Sequence, residues 1–232
     1  MMALEKAWLW QDGGHSPAYN MAADEALLVA ANELGRPMLR LYEWDRPAIS
    51  IGYVQHLAKA PQDRGAIIRR ITGGGVVFHD TQFTYTLVLP SDHPIYRDTQ
   101  PIESYAILNG AVSASLALAD FASEMTQEEI PRWVDRASMV CFQTPTRYDL
   151  VSQQGKIAGA AQRRKREGFL HQGSIELVQP LDATLLRRLL PAGFAQNLKL
   201  DFETWSPDAD FSARIDKLET EKYGTAAWNE LR

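Results

Sequence analysis

Short β-rich runs gather in two blocks along the chain, and that grouping does most to restrict what it can fold into. The first block holds residues 39–42, 48–53, 66–70, 76–79 and 83–89; the second holds 148–151, 156–163 and 169–177. A further strand is expected at 7–11, followed by a turn at Gly13 and Gly14. Met21, Ala22, Leu27, Leu28 and Ala31 recur at helical spacing and predict a helix over 19–34, stopped by Gly35 and Pro37. Other helices are expected at 103–119, 183–190 and 209–223, with a long irregular stretch at 123–146. Strands collected in blocks between a few helices imply an α+β architecture with mixed or antiparallel sheets, not a doubly wound fold.

At 232 residues, one domain over 1–232 is expected. No run of ~18 apolar residues is present to span a bilayer, and no membrane association is expected. The start, Met1-Met2-Ala3-Leu4-Glu5-Lys6, lacks the charged-then-apolar pattern of a signal peptide. The single cysteine, Cys141, excludes an internal disulfide and a multi-thiolate metal site, which points to a cytoplasmic protein with no metal centre. The net charge of −5 falls wholly within residues 201–221, where a solvated acidic helix face is expected. An acidic total with a neutral remainder argues against a nucleic-acid partner.

The most unusual local sequence is Arg69-Arg70-Ile71-Thr72-Gly73-Gly74-Gly75-Val76-Val77-Phe78-His79-Asp80. Consecutive glycines let backbone approach a ligand closely and offer successive N–H groups to an anion. The spacing is not Gly-x-Gly-x-x-Gly and no Gly-Lys-Ser/Thr follows, so neither dinucleotide nor P-loop binding is indicated. A glycine-rich hairpin turn is the other reading of these residues. For Cys141 alone the alternative is a small buried hydrophobe, and for Lys156 an exposed hairpin lysine.

In context these residues resemble the signature of the lipoate–protein ligase and octanoyltransferase family, within the biotin/lipoate A/B protein ligase superfamily. Ser16-Pro17-Ala18-Tyr19-Asn20-Met21-Ala22-Ala23-Asp24-Glu25 is similar to the family's first helix, and Ile49-Ser50-Ile51-Gly52-Tyr53-Val54-Gln55 to its Gly-x-x-Gln turn. Gly155-Lys156-Ile157-Ala158-Gly159-Ala160-Ala161-Gln162, His171-Gln172-Gly173-Ser174-Ile175 and Tyr223…Trp228-Asn229 follow in the family's order. The resemblance implies an amide-forming transfer of a medium-chain acyl group to one lysine of a lipoyl domain, in a 2-oxo-acid dehydrogenase subunit or the glycine-cleavage H protein. Ligases of the family use ATP and Mg²⁺ to make an acyl-adenylate. Octanoyltransferases take the acyl group from octanoyl-acyl-carrier protein and need no such cofactor.

Cys141-Phe142 ahead of Tyr148-Asp149-Leu150 resembles the cysteine-dependent octanoyltransferases, which implies a thioester on Cys141. A thiolate suits thioester exchange, and nearby cations such as Lys156, Arg147 or Arg70 would favour that form. Lys156 would orient the acyl carbonyl and stabilise developing charge. Arg70, Gly73, Gly74, Gly75, His79, Tyr148, Asp149, Gly159 and Ala160 are the expected substrate-binding residues. Val76, Val77, Phe78, Ala158 and Ala161 are expected to help form an apolar acyl slot. Two departures stand out: the glycines run uninterrupted, as in the ligases, and Gln172 replaces a histidine found in many members. The chain ends soon after Trp228-Asn229, so no C-terminal accessory domain is expected. The cationic run Arg163, Arg164, Lys165 and Arg166 is a candidate docking patch for acidic acyl-carrier and lipoyl domains. An ATP-dependent lipoate ligase and a non-catalytic acyl- or carrier-binding module are the alternative readings.

Overall fold

The computed structural model describes residues 4–61, 65–80, 82–130, 133–135 and 139–231. It is an α+β fold on a mixed sheet, as the grouping of strands predicts. Eleven strands are assigned among these residues: β1 (Glu5–His15), β2 (Met38–Trp44), β3 (Ala48–Ile51), β4 (Ala66–Arg69), β5 (Val77–Phe78), β6 (Gln82–Pro90), β7 (Glu124–Met125), β8 (Leu150–Ser152), β9 (Gly155–Lys165), β10 (Gly168–Glu176) and β11 (Leu200–Thr204). Eight of them form the main sheet in the order β11-β1-β2-β6-β10-β9-β8-β7, and β4-β3-β5 form a small one. The pairings β1–β11, β1–β2 and β3–β4 are parallel; the rest are antiparallel.

Side-chain alternation along the central strands builds two cores, because successive residues point to opposite faces. Leu39 and Leu41 of β2 with Phe83, Tyr85, Leu87 and Leu89 of β6 pack under the helices Pro101–Ala117 and Ala183–Leu198. Met38, Val88 and Leu170 face the opposite way, onto the helix Pro17–Val29 and the helix Ala209–Leu218. Ser16 caps the first of these by accepting from the Tyr19 N–H at 3.0 Å, and Pro17 supplies the fixed φ of a first helical residue. The cap contributes about 1 kcal/mol.

Three expectations are corrected. Gly13 and Gly14 do not turn the chain: β1 runs through them to His15, with a register shift against β2 between Gln11 and Gly14. Asp12 holds that stretch in place by bonding the buried Arg40 Nε and Nη2 at 2.9 and 2.7 Å. The expected helix over 19–34 is two pieces, with a break at Ala30. The acidic stretch is not one helix face. Asp201 and Glu203 lie on the unforeseen edge strand β11 and pair with Lys6 at 2.7 and 2.9 Å, and Asp208 caps the next helix. The stretch 123–146 carries only β7 and one short turn of helix among its described residues. Part of it, residues 131–132 and 136–138, lies outside them.

Candidate active site

The two arginines before the glycines are both committed to backbone. Arg70 donates from Nη1 to Ser50 O and Oγ (2.7 and 2.6 Å) and from Nη2 to Gly73 O and Gly75 O (2.9 Å each). Burial pushes its proton affinity down to about 10, against the support of Cys141 and Tyr42. Arg69 donates to the carbonyls of Gly52, Tyr53 and Gln55 and to those of Trp228 and Asn229 near the C-terminus. Buried carbonyls need donors, and a guanidinium supplies five. The doublet therefore fixes the shape of the glycine loop.

That loop in turn holds the cysteine. Val76 N–H donates to Met139 O (2.7 Å) and Cys141 N–H to Val76 O (2.8 Å), so the two segments run side by side. Gly75 makes the approach possible, since a Cβ there would lie 2.5 Å from Met139 O. Lys156, on β9, reaches the same point. Its Nζ donates to Cys141 Sγ at 3.2 Å and to Cys141 O at 3.0 Å, and pairs with Asp149 Oδ2 at 2.7 Å. Asp149 Oδ2 also accepts from the N–H and hydroxyl of Thr146 (2.7 and 2.9 Å). Gly159 leaves room for the pair, because a Cβ would sit 2.5 Å from Lys156 Cε and 2.9 Å from Asp149 Oδ1. Burial alone would lower the proton affinity of Lys156; the charges of Cys141 and Asp149 outweigh it and hold the ammonium above the usual lysine value.

Cys141 stands between two cavities. The inner one is lined by Tyr42, Trp44, Val77, His79 and Gln172 among others. The outer one is lined by Gly75, Ile102, Tyr105, Arg147, Asp149 and Lys156 among others. Gly74, Cys141, Ala160 and Ala161 border both. The lining of the inner cavity is mostly apolar, and the thiol borders it.

His79 stacks on Trp44 with ring centroids 3.9 Å apart, and its Nε2 meets Ser50 Oγ at 2.6 Å. Ser50 Oγ also accepts from Arg70 Nη1, and the other ring nitrogen of His79, Nδ1, is buried with no partner. Burial, and secondarily Arg70, keep His79 well below the ordinary histidine range. Gln172 is saturated: Oε1 accepts from Thr72 and Nε2 donates to Asp24. His171 lies inside the core with Tyr85 and Gln162 on its two nitrogens, and burial lowers it to about 3.

The expected residues thus divide. Arg70, Gly74, His79, Cys141, Gly159 and Ala160 line the inner cavity, while Gly75, Asp149 and Lys156 line the outer one. Gly73 contributes its carbonyl to Arg70. Tyr148 borders neither of these cavities; its carbonyl accepts from Asn109, and Arg147 lies over its ring. Arg147 pairs with Glu129, so Lys156 is the cation that touches the sulfur. Val76 belongs to the core of the small sheet and Ala158 to the main core. The cationic run is split as well. Arg164 donates to the carbonyls of Tyr96 and Thr99, Lys165 lies 3.6 Å from Glu25, and Arg163 lies over Tyr53. Arg166 is the exposed member. Met21 and Ser50 of the inner cavity fall in the family-like segments without having been singled out, and Tyr42, Trp44 and Thr84, with Thr146 behind Asp149, were not anticipated, since no local motif marks them.

A glycine loop packed beside an apolar cavity, with a thiol bordering it and an ammonium and a carboxylate beyond the thiol, fits a catalytic domain that handles acyl groups. The chain belongs to the lipoyl protein ligase A/B catalytic domain family, whose model matches residues 16–196. An octanoyltransferase LipM of Brevibacillus brevis is 38% identical over 75% of this chain and 66% of its own length. That of Halalkalibacterium halodurans is 30% identical over 97% of this chain and 99% of its own. Among solved structures, protein Ta0514 of T. acidophilum with bound lipoic acid superposes with a TM-score of 0.81 at 21% identity, covering 98% and 99% of the two chains. A lipoate-protein ligase A bound with ATP gives 0.78 at 21%, with 99% of each chain covered. These two confirm the fold.

Proposed function

We propose that the chain is an octanoyltransferase: it takes an octanoyl group from octanoyl-acyl-carrier protein onto Cys141 and passes it to a lysine of a lipoyl domain. The observation that carries this reading is the Lys156 Nζ–Cys141 Sγ contact of 3.2 Å where the thiol borders the inner cavity. An ammonium there stabilises the thiolate that attacks the donor thioester. The inner cavity takes the alkyl tail, at about 0.8 kcal/mol per buried methylene. Transfer from a thioester needs no ATP, and a free catalytic thiol suits a reducing cytoplasm. Relatives named octanoyltransferase support the octanoyl group as what is transferred. Of the four cations 163–166, Arg166 has the exposure to steer an acidic carrier.

The test is incubation with octanoyl-acyl-carrier protein and a lipoyl domain without ATP, followed by intact mass. A hydroxylamine-labile octanoyl adduct that vanishes in Cys141→Ala supports the reading. ATP-dependent transfer of free lipoate that survives loss of Cys141 selects the ligase chemistry instead.

A further inference from the structure

Among the described residues Asp149 is the one carboxylate that touches Lys156, and three donors fix its position. Its Oδ2 accepts from Lys156 Nζ, from Thr146 N–H and from Thr146 Oγ1, all within 2.9 Å, and its side chain is 5% exposed. The Lys156 side chain is 1% exposed. Nothing about a slot for an acyl chain requires such a pair, and its burial is costly unless it does something for the charges it holds.

Its use follows from the proton balance of the proposed transfer, on which this inference rests. In the first half, the Cys141 thiolate attacks the donor carbonyl, the new C–S bond forms and the donor C–S bond breaks. The leaving thiolate takes a proton from the Lys156 ammonium, which becomes a neutral amine. In the second half the acceptor lysine arrives as an ammonium and must lose a proton before its nitrogen can attack. Lys156 takes it and is an ammonium again. The acceptor amine adds to the thioester carbonyl, the Cys141 thiolate leaves beside the restored ammonium, and the second proton on the new amide nitrogen passes to water.

The two halves place different demands on Lys156. While the thiolate is present, it and Asp149 both hold the ammonium. In the acyl-enzyme the sulfur is an uncharged thioester, so among the described residues Asp149 is the one charged group still touching Nζ, beside the neutral Cys141 carbonyl. We propose that Asp149 is the positioning residue for the second half-reaction: it keeps Lys156 aimed at the sulfur and able to take the proton of the acceptor ammonium once the thiolate is consumed.

The experiment separates the halves. Wild type and Asp149→Asn are loaded with octanoyl-acyl-carrier protein, and adduct formation and its discharge to a lipoyl domain are timed by intact mass. The expected result is loading within a few-fold of wild type and discharge slowed about 100-fold or more, the scale of a lost general base, so that the adduct accumulates. Discharge to hydroxylamine, which is uncharged at neutral pH, stays within a few-fold of wild type, and Asp149→Glu restores part of the lysine transfer. Equal slowing of both halves, equal slowing toward hydroxylamine, or wild-type transfer overturns the proposal. If Asp149→Asn does not fold, Thr146→Val, which removes one support of Oδ2, carries the test with the same step selectivity at about tenfold. Failure of wild type to form any adduct would instead refute the transferase reading itself.

Discussion

Replacing Gly75 by alanine tests whether the glycine loop serves to seat the cysteine. A Cβ at this position would lie 2.5 Å from Met139 O and 3.1 Å from Cys141 N. Reaching ordinary contact at 3.4 Å requires the two segments to part by about 0.9 Å, and a displacement of that size at a reacting atom costs about 100-fold in rate. The same movement strains the Val76–Met139 and Cys141–Val76 backbone bonds. At about 1 kcal/mol each, their loss removes about 2 kcal/mol, or about 4–8 °C of Tm for a chain of this size. The assay is the rate of octanoyl adduct formation by intact mass, with a thermal melt on the same sample. Gly73→Ala is the stability comparator: nothing lies within 4 Å of its Cβ, so its melt shifts by no more than about 2 °C. Wild-type loading and an unchanged Tm in Gly75→Ala would refute the idea that this approach places the sulfur.

Arg164→Ala should destabilise the fold by about 2 kcal/mol, because its guanidinium holds the Tyr96 and Thr99 carbonyls; a thermal melt reads this directly. Arg166→Glu should leave Tm within about 2 °C yet lower kcat/KM for an acidic carrier protein, with a deficit that shrinks as salt is raised. His171 is neutral when folded, with a value of about 3 against about 6.5 unfolded. The unfolded state therefore binds more protons between these limits, and stability from this residue falls as pH drops below about 6.5. Between pH 6.5 and 5 the loss is about 2 kcal/mol, so urea melts at the two pH values should differ less, by about that amount, in His171→Gln than in wild type.

The parts of this protein that were legible in its sequence are those encoded by neighbours. Strand alternation gave the blocks of the sheet, and Gly73–Gly75, Cys141 and Lys156 stood out because each sits in a short run of characteristic composition. What remained hidden depends on pairings across the chain. Arg70 reads as a substrate-binding residue and a cation near the thiol, and only the fold shows that it and Arg69 are engaged by carbonyls from residues 50–55, 73–75 and 228–229. A run of four cations reads as one patch, but alternation along a strand turns neighbours to opposite faces, and each member meets a different environment. Trp44 joins the inner cavity because β2 and the residue after β5 meet there, at a separation no local pattern records.

Asp24 shows how far that principle extends beneath the site. Its two oxygens accept from Arg40, Tyr42, Thr86 and Gln172, and Gln172 in turn accepts from Thr72 at the base of the glycine loop. A buried carboxylate with four donors, one of them an arginine, is compensated only as a set. Position 172 is thus occupied by a neutral amide with both ends engaged. A glutamine can accept from Thr72 and donate to Asp24 at any pH, whereas a neutral imidazole in that place could do both only in one tautomer and a protonated one could not accept at all. Gln172 therefore links the first helix to the glycine loop through an amide that does not itself titrate.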